Sequence, residues 1–276
     1  MYDKLRMKLR KTLLILPNLL TAASLFCGVL AVIRCMPPET TDVDIYRSSL
    51  LLFYAFLFDL FDGRVARMTR TQTNFGVEFD SLADLISFGV APAVITYRWA
   101  LSESGPVGVA VCFCYVLAGA IRLARFNVMA HAGPRSKKPG KYMLGLPIPM
   151  AAGFIVALVV ATHTMGGWPW LTSHGITVKG IGYPMMVVIM LFLAFLMVSA
   201  IKFRSFKDLK INTFFVTIIL ITVGSSLFLW LKSKPAYILI WLLCLYVAIG
   251  LGEAVIHWPK RRRERLAANS NNDAVS

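Results

Sequence analysis

About eight apolar runs, each close to twenty residues long, dominate the chain, at roughly 13–36, 46–68, 80–100, 106–129, 146–164, 181–201, 211–231 and 236–257. A run of that length crosses a bilayer core as a helix rising 1.5 Å per residue. In lipid each backbone polar group must be satisfied within its own segment, and no alternating pattern of a closed barrel is visible. A soluble fold would have nowhere to bury so many runs; hydrophobic residues fill 57% of 276 positions, and mean hydropathy is +0.67. The expected fold is therefore all-α: a polytopic membrane helical bundle of about eight transmembrane helices. A short amphipathic helix over 3–11 is expected on the inner leaflet. Residues 1–265 read as one membrane domain and 266–276 as a disordered polar tail. The first run is too long for a signal peptide and is followed by further spans, so it reads as a retained helix.

The net charge of +15 invites a nucleic-acid partner, but its distribution speaks for the membrane. With the amino terminus inside, twenty-three of the 29 Lys and Arg residues fall on one side of the eight-span topology. Only Arg34, Arg47, Arg98, Lys179, Lys232 and Lys234 fall on the other. This asymmetry puts both termini in the cytoplasm of a cell-membrane protein. The basic rim suits an anionic lipid bilayer, and nucleic acid is not expected as a partner. Cys27, Cys35, Cys112, Cys114 and Cys244 form no CxxC pair, and the four histidines have no zinc spacing. Structural thiols are expected, not thiol or zinc chemistry.

Against this background four aspartates stand out, in Asp59-Leu60-Phe61-Asp62-Gly63-Arg64-Val65-Ala66-Arg67 and Gly76-Val77-Glu78-Phe79-Asp80-Ser81-Leu82-Ala83-Asp84. Acids near a hydrocarbon core are costly and mark function by default. Spacings of three and four residues put each pair on one helix face. A hairpin turning through Arg70-Thr71-Gln72-Thr73-Asn74 would bring the pairs to one depth. Four carboxylates so close would repel strongly unless divalent cations neutralised them. Oxygen ligands favour Mg²⁺ or Mn²⁺, and two ions could serve a phosphoryl displacement. Gly63, Ala66 and Gly76 lack bulk and would let a nucleotide approach the backbone. Glu78 is off the spacing and reads as a surface residue. Two other accounts of the acids are open at this point: pairing with Arg64, Arg67 and Arg70, or a cation-coupled membrane transporter.

The full pattern, Asp59-x-x-Asp62-Gly63-x-x-Ala66-Arg67, eight residues, then Gly76-x-x-x-Asp80-x-x-x-Asp84, resembles the motif of the CDP-alcohol phosphatidyltransferases at every fixed position. The segments Asp80–Pro92, Arg122-Leu123-Ala124-Arg125-Phe126-Asn127, Gly145-Leu146-Pro147-Ile148-Pro149 and Pro17-Asn18-Leu19-Leu20-Thr21 are similar to the phosphatidylserine synthases of the bacterial and archaeal membrane type. The likeness is good over roughly 10–160, and eight helices fit this branch better than its six-helix relatives.

The resemblance implies a dinuclear Mg²⁺ or Mn²⁺ site, CDP-diacylglycerol as donor, L-serine as acceptor and CMP as leaving group. By the same resemblance Asp59, Asp62 and Asp80 would hold metal, and Asp84 would complete the site and act as general base. Gly63, Ala66 and Gly76 would line the nucleotide pocket, with Arg67 balancing phosphate charge. A homodimer is also implied. For the serine carboxylate, Arg122 and Arg125 are the candidates, with Asn127 beside them. The competing account is a positive-inside anchor with snorkelling stems. Asn18 and Thr21 are candidate substrate contacts or polar helix-packing residues. Ser87 and Pro92 read as shaping the third helix. Glycerol phosphate or an inositol phosphate is the alternative acceptor within the same chemistry.

Overall fold

The computed structural model of the chain describes residues 2–69, 73–131, 142–165, 178–199 and 201–204. The described helices are α1 (Tyr2–Arg34), α2 (Asp42–Thr69), α3 (Asn74–Ser104), α4 (Pro106–His131), α5 (Ile148–Met165) and α6 (Val178–Val198). Two three-residue strands, β1 (Tyr142–Leu144) and β2 (Lys202–Arg204), form an antiparallel ribbon with Tyr142 opposite Arg204. Among the described residues the fold is thus helical apart from that ribbon. Three stretches of the described residues are long and apolar enough to cross a membrane: Ile15–Arg34, Asn74–Ser104 and Pro106–Met129. Ile148–His163 and Pro184–Val198 are shorter apolar helices. The expected spans 211–231 and 236–257, and the tail 266–276, lie outside the described residues. The segment 3–11, expected as a short helix of its own, has a backbone continuous with α1.

Local chemistry explains the helix starts. At α2, Thr41 and Asp44 make a reciprocal cap: the Asp44 N–H donates to Thr41 Oγ1 at 3.2 Å, and the Thr41 N–H donates to Asp44 Oδ2 at 3.2 Å. The Thr41 hydroxyl also donates to that carboxylate, and these bonds hold Asp44 below the ordinary carboxylate range. At α3, Thr73 is the N-cap and accepts from the Gly76 N–H at 3.0 Å. The helix therefore begins more than a turn before Asp80, where the apolar pattern alone had put its start, and Gly76 belongs to its first turn.

Pro92 shapes α3 as expected. It has no N–H to give to the Phe88 carbonyl one turn back. The helix widens into a π-helical stretch over Leu85–Val90, and the buried Tyr115 hydroxyl of α4 donates to Phe88 O at 3.1 Å. A carbonyl left short by proline is thereby satisfied from the neighbouring helix. Ser87, fully buried, donates to Ser24 O of α1 at 3.1 Å. Where α1 meets α3, a Cβ on Gly28 would lie 2.7 Å from Ser87 Cα, so only glycine allows this approach.

The core lies among α3, α4, α5 and α6, around Phe88, Tyr115, Leu146, Ile148, Ile155, Met190 and Leu196. The segment Gly145–Pro149 is part of it. Gly145 has φ 75°, and a Cβ there would come within 2.2 Å of Met197 O. Its N–H donates to Ile201 O and that of Leu146 to Leu196 O, tying the start of α5 to the end of α6. Ile148 then fills the notch at Gly119, where a Cβ would be 2.5 Å from Ile148 Cδ1.

Candidate active site

The α2–α3 hairpin does what the spacing predicted: it brings Asp59, Asp62 and Asp80 together. One carboxylate oxygen from each lies within 4.8 Å of the others. Asp62 is buried, and Asp59 and Asp80 are half-buried. Asp84, one turn beyond Asp80, stands outside this trio, but its carboxyl is within hydrogen-bonding reach of Asp59. Arg122 of α4 is buried and close enough to act electrostatically on Asp84.

These residues fit a hard divalent cation. Asp80 Oδ1 is buried with no hydrogen-bond partner, an acceptor that bound metal would satisfy. All the donors are carboxylate oxygens, the set that Mg²⁺ and Mn²⁺ prefer.

Beside the acids lies a cleft of about 100 Å³, lined in part by Asn18 and Thr21 of α1, Asp62, Gly63 and Ala66 of α2, and Gly76 and Asp80 of α3. Pockets for whole drug-sized ligands run to roughly 300–1,000 Å³. This one is a slot for part of a ligand, opening at the carboxylates. A Cβ on Gly76 would approach Thr73 Oγ1 to 3.1 Å and Asn18 Oδ1 to 3.3 Å, whereas at Gly63 the nearest atom would be Arg67 Nη2 at 4.0 Å. Arg67 is exposed and its guanidinium reaches back over Gly63. Of the four positions predicted to meet a nucleotide, Gly63, Ala66 and Gly76 line the cleft with Asp62 and Asp80, and the Arg67 guanidinium lies next to Gly63.

The predicted acceptor residues divide. Asn18 and Thr21 belong to the cleft, and the buried Thr21 hydroxyl is 2.6 Å from Asp62 Oδ2. Asn127 lies on the other side of α3: its Nδ2 donates to Glu78 Oε2 at 2.9 Å and to Ser81 Oγ at 3.0 Å. Arg125 donates to Val198 O at 3.1 Å and Ser199 O at 3.4 Å, the carbonyls ending α6. Cations at a helix C-terminus are favourable there, so Arg125 acts as a tie between helices. Of the pair, Arg122 is the one that acts electrostatically on Asp84, the acid beside the cluster. Glu78 is exposed, as read, yet it is engaged with Asn127. Thr73 was missed: it borders the cleft, and its position before the helical run was the available signal.

Comparison with known proteins agrees with this constellation. The sequence profile described as CDP-alcohol phosphatidyltransferase matches residues 14–179. The chain belongs to the CDP-alcohol phosphatidyltransferase family. It is 35% identical over 209 residues to a CDP-diacylglycerol–serine O-phosphatidyltransferase of Helicobacter pylori strain J99, covering 76% of this chain and 80% of that protein. Proteins of the same description from Bacillus subtilis (32% identity, 70% of this chain and 91% of theirs) and Saccharomyces cerevisiae (36%, 48% and 49%) are also similar. The match spans both aspartate pairs and the cleft. Membership in a transferase family removes the ground for a cation-coupled transporter, and pairing of the acids with arginines alone leaves the buried Asp80 oxygen unexplained.

Proposed function

We propose that this membrane enzyme transfers the phosphatidyl group of CDP-diacylglycerol to the hydroxyl of L-serine, giving phosphatidylserine and CMP. The observation that carries this most is the Asp59–Asp62–Asp80 cluster, two of whose acids, Asp62 and Asp80, line a cleft with Gly63 and Gly76. The serine relatives and the flanking segments supply the acceptor.

In this reading the cytidine diphosphate end of the donor enters the cleft, where Gly63, Ala66 and Gly76 leave room and Arg67 offsets phosphate charge. The acyl chains stay in lipid. Asp59, Asp62, Asp80 and Asp84 would hold Mg²⁺ or Mn²⁺, two ions in all, and such ions would supply positive charge against the pyrophosphate and the leaving CMP. Serine arrives from the α4 side, with Arg122 receiving its carboxylate; Arg125 and Asn127 support that wall rather than the substrate. Asp84 accepts the hydroxyl proton as the serine oxygen bonds to the phosphorus bearing diacylglycerol and the bond from that phosphorus to CMP breaks. Fixing both reactants and the charge around the phosphorus supplies most of the acceleration.

The charge asymmetry of the sequence orients the enzyme as a multi-pass protein of the cell membrane, with both termini and the site cytoplasmic, against an anionic leaflet. The proposal includes a homodimer. The test is purified full-length protein with CDP-diacylglycerol, divalent metal, and serine, glycerol phosphate or an inositol phosphate in turn. CMP release with serine is expected; release only with a phosphorylated acceptor would keep the chemistry and overturn the acceptor.

A further inference from the structure

We infer that Thr21 is a positioning residue that locks the Asp62 carboxylate for metal, rather than a contact of the acceptor alcohol. The inference rests on reading the acid cluster as a metal site. Thr21 sits on α1, which contributes no carboxylate to the trio, and its side chain is buried against α2. Its Oγ1 lies 2.6 Å from Asp62 Oδ2 and 3.1 Å from Pro17 O, the carbonyl one turn back on its own helix. A hydroxyl has one proton to donate. The shorter and charge-assisted bond, to the carboxylate, takes it.

Geometry gives this bond its consequence. The bond at Oδ2 restrains the rotation of the Asp62 carboxylate, one oxygen of which lies within 4.8 Å of one from Asp59 and one from Asp80. Asp80 Oδ1, by contrast, has no hydrogen-bond partner. The buried ligand is thus set before metal arrives, while Asp80 is left with free acceptor capacity. Ligating carboxylates are commonly held by such outer partners, whose loss costs roughly 10–100-fold in metal affinity. The same cleft is bordered by Asn18, whose side-chain oxygen lies near Gly76, so α1 contributes to both the nucleotide slot and the metal shell.

The test measures Mn²⁺ binding by electron paramagnetic resonance on full-length protein in lipid nanodiscs without substrate. It compares wild type with Thr21→Val, which keeps shape and loses the hydroxyl, and Thr21→Ser, which keeps the hydroxyl. Thr21→Val is expected to bind Mn²⁺ about 10–100-fold more weakly, with Thr21→Ser restoring binding to within about threefold of wild type. At saturating metal the serine KM of Thr21→Val should equal that of wild type. Unchanged Mn²⁺ binding in Thr21→Val, with a raised serine KM, would overturn the inference in favour of an acceptor contact. Equal losses in both variants would overturn it in favour of packing, and the metal-free unfolding temperature would drop with them. Wild-type protein that binds no Mn²⁺ would instead remove the metal reading itself, and with it the role of Thr21.

Discussion

Gly63→Ala separates function from stability more cleanly than any change to a charged residue. The added Cβ would find its nearest heavy atom 4.0 Å away, at the tip of the flexible Arg67 side chain. The position is helical, with no positive φ to forbid a side chain, and alanine is favoured over glycine in a helix interior by about 0.8–1 kcal/mol. The variant should therefore fold as well as wild type, or be stabilised by up to about 1 kcal/mol. The same methyl enters the cleft that, in the proposed function, receives the cytidine diphosphate. Overfilling a fitted site costs about 1–3 kcal/mol. At 1.4 kcal/mol per tenfold, donor KM should rise roughly 5- to 150-fold. The assay is serine-dependent CMP release over a CDP-diacylglycerol titration, paired with thermal unfolding of the same sample. An unchanged donor KM would refute the placement of the nucleotide against Gly63. A marked fall in unfolding temperature would refute the claim that the position is uncrowded.

Other substitutions probe the remaining assignments. Asp84→Asn keeps the shape of the side chain and loses the base; turnover should fall about 10²–10⁴-fold with donor binding retained, measured by CMP release and nucleotide binding. Near-normal turnover would remove Asp84 as the proton acceptor. Arg122→Ala should raise the serine KM with donor KM steady. Arg125→Ala should leave the serine KM alone and instead lower stability by about 1–3 kcal/mol, since it unties the Val198 and Ser199 carbonyls.

Local periodicity carried much of this arrangement and failed at contacts between distant helices. The apolar runs located α1 to α6, because each must satisfy its own backbone in lipid. The three- and four-residue spacing of the aspartates implied the hairpin that gathers Asp59, Asp62 and Asp80, since a helix repeats its face at those intervals. The start of α3 was displaced because it depends on the Thr73 cap, while hydropathy registers only the apolar part of the helix. The Thr21–Asp62 bond joins residues 41 positions apart, and nothing near either one in the sequence announces it. Arg122 and Arg125 look alike in the sequence. Their fates separate only because α6 brings its terminal carbonyls to Arg125 and α3 brings Asp84 near Arg122. The Gly145–Pro149 segment likewise owes its glycine and apolar residues to packing against α4 and α6.

The central claim is that the aspartates of α2 and α3 hold the divalent cation on which phosphatidyl transfer to serine depends. The most direct measurement is serine-dependent CMP release from chelator-treated protein across a Mn²⁺ titration, for wild type and Asp80→Asn in parallel. The account predicts no release without metal, recovery of wild type as Mn²⁺ is added, and Asp80→Asn inactive or requiring far higher Mn²⁺. Full release after chelation, or an Asp80→Asn curve that overlays wild type, would contradict it.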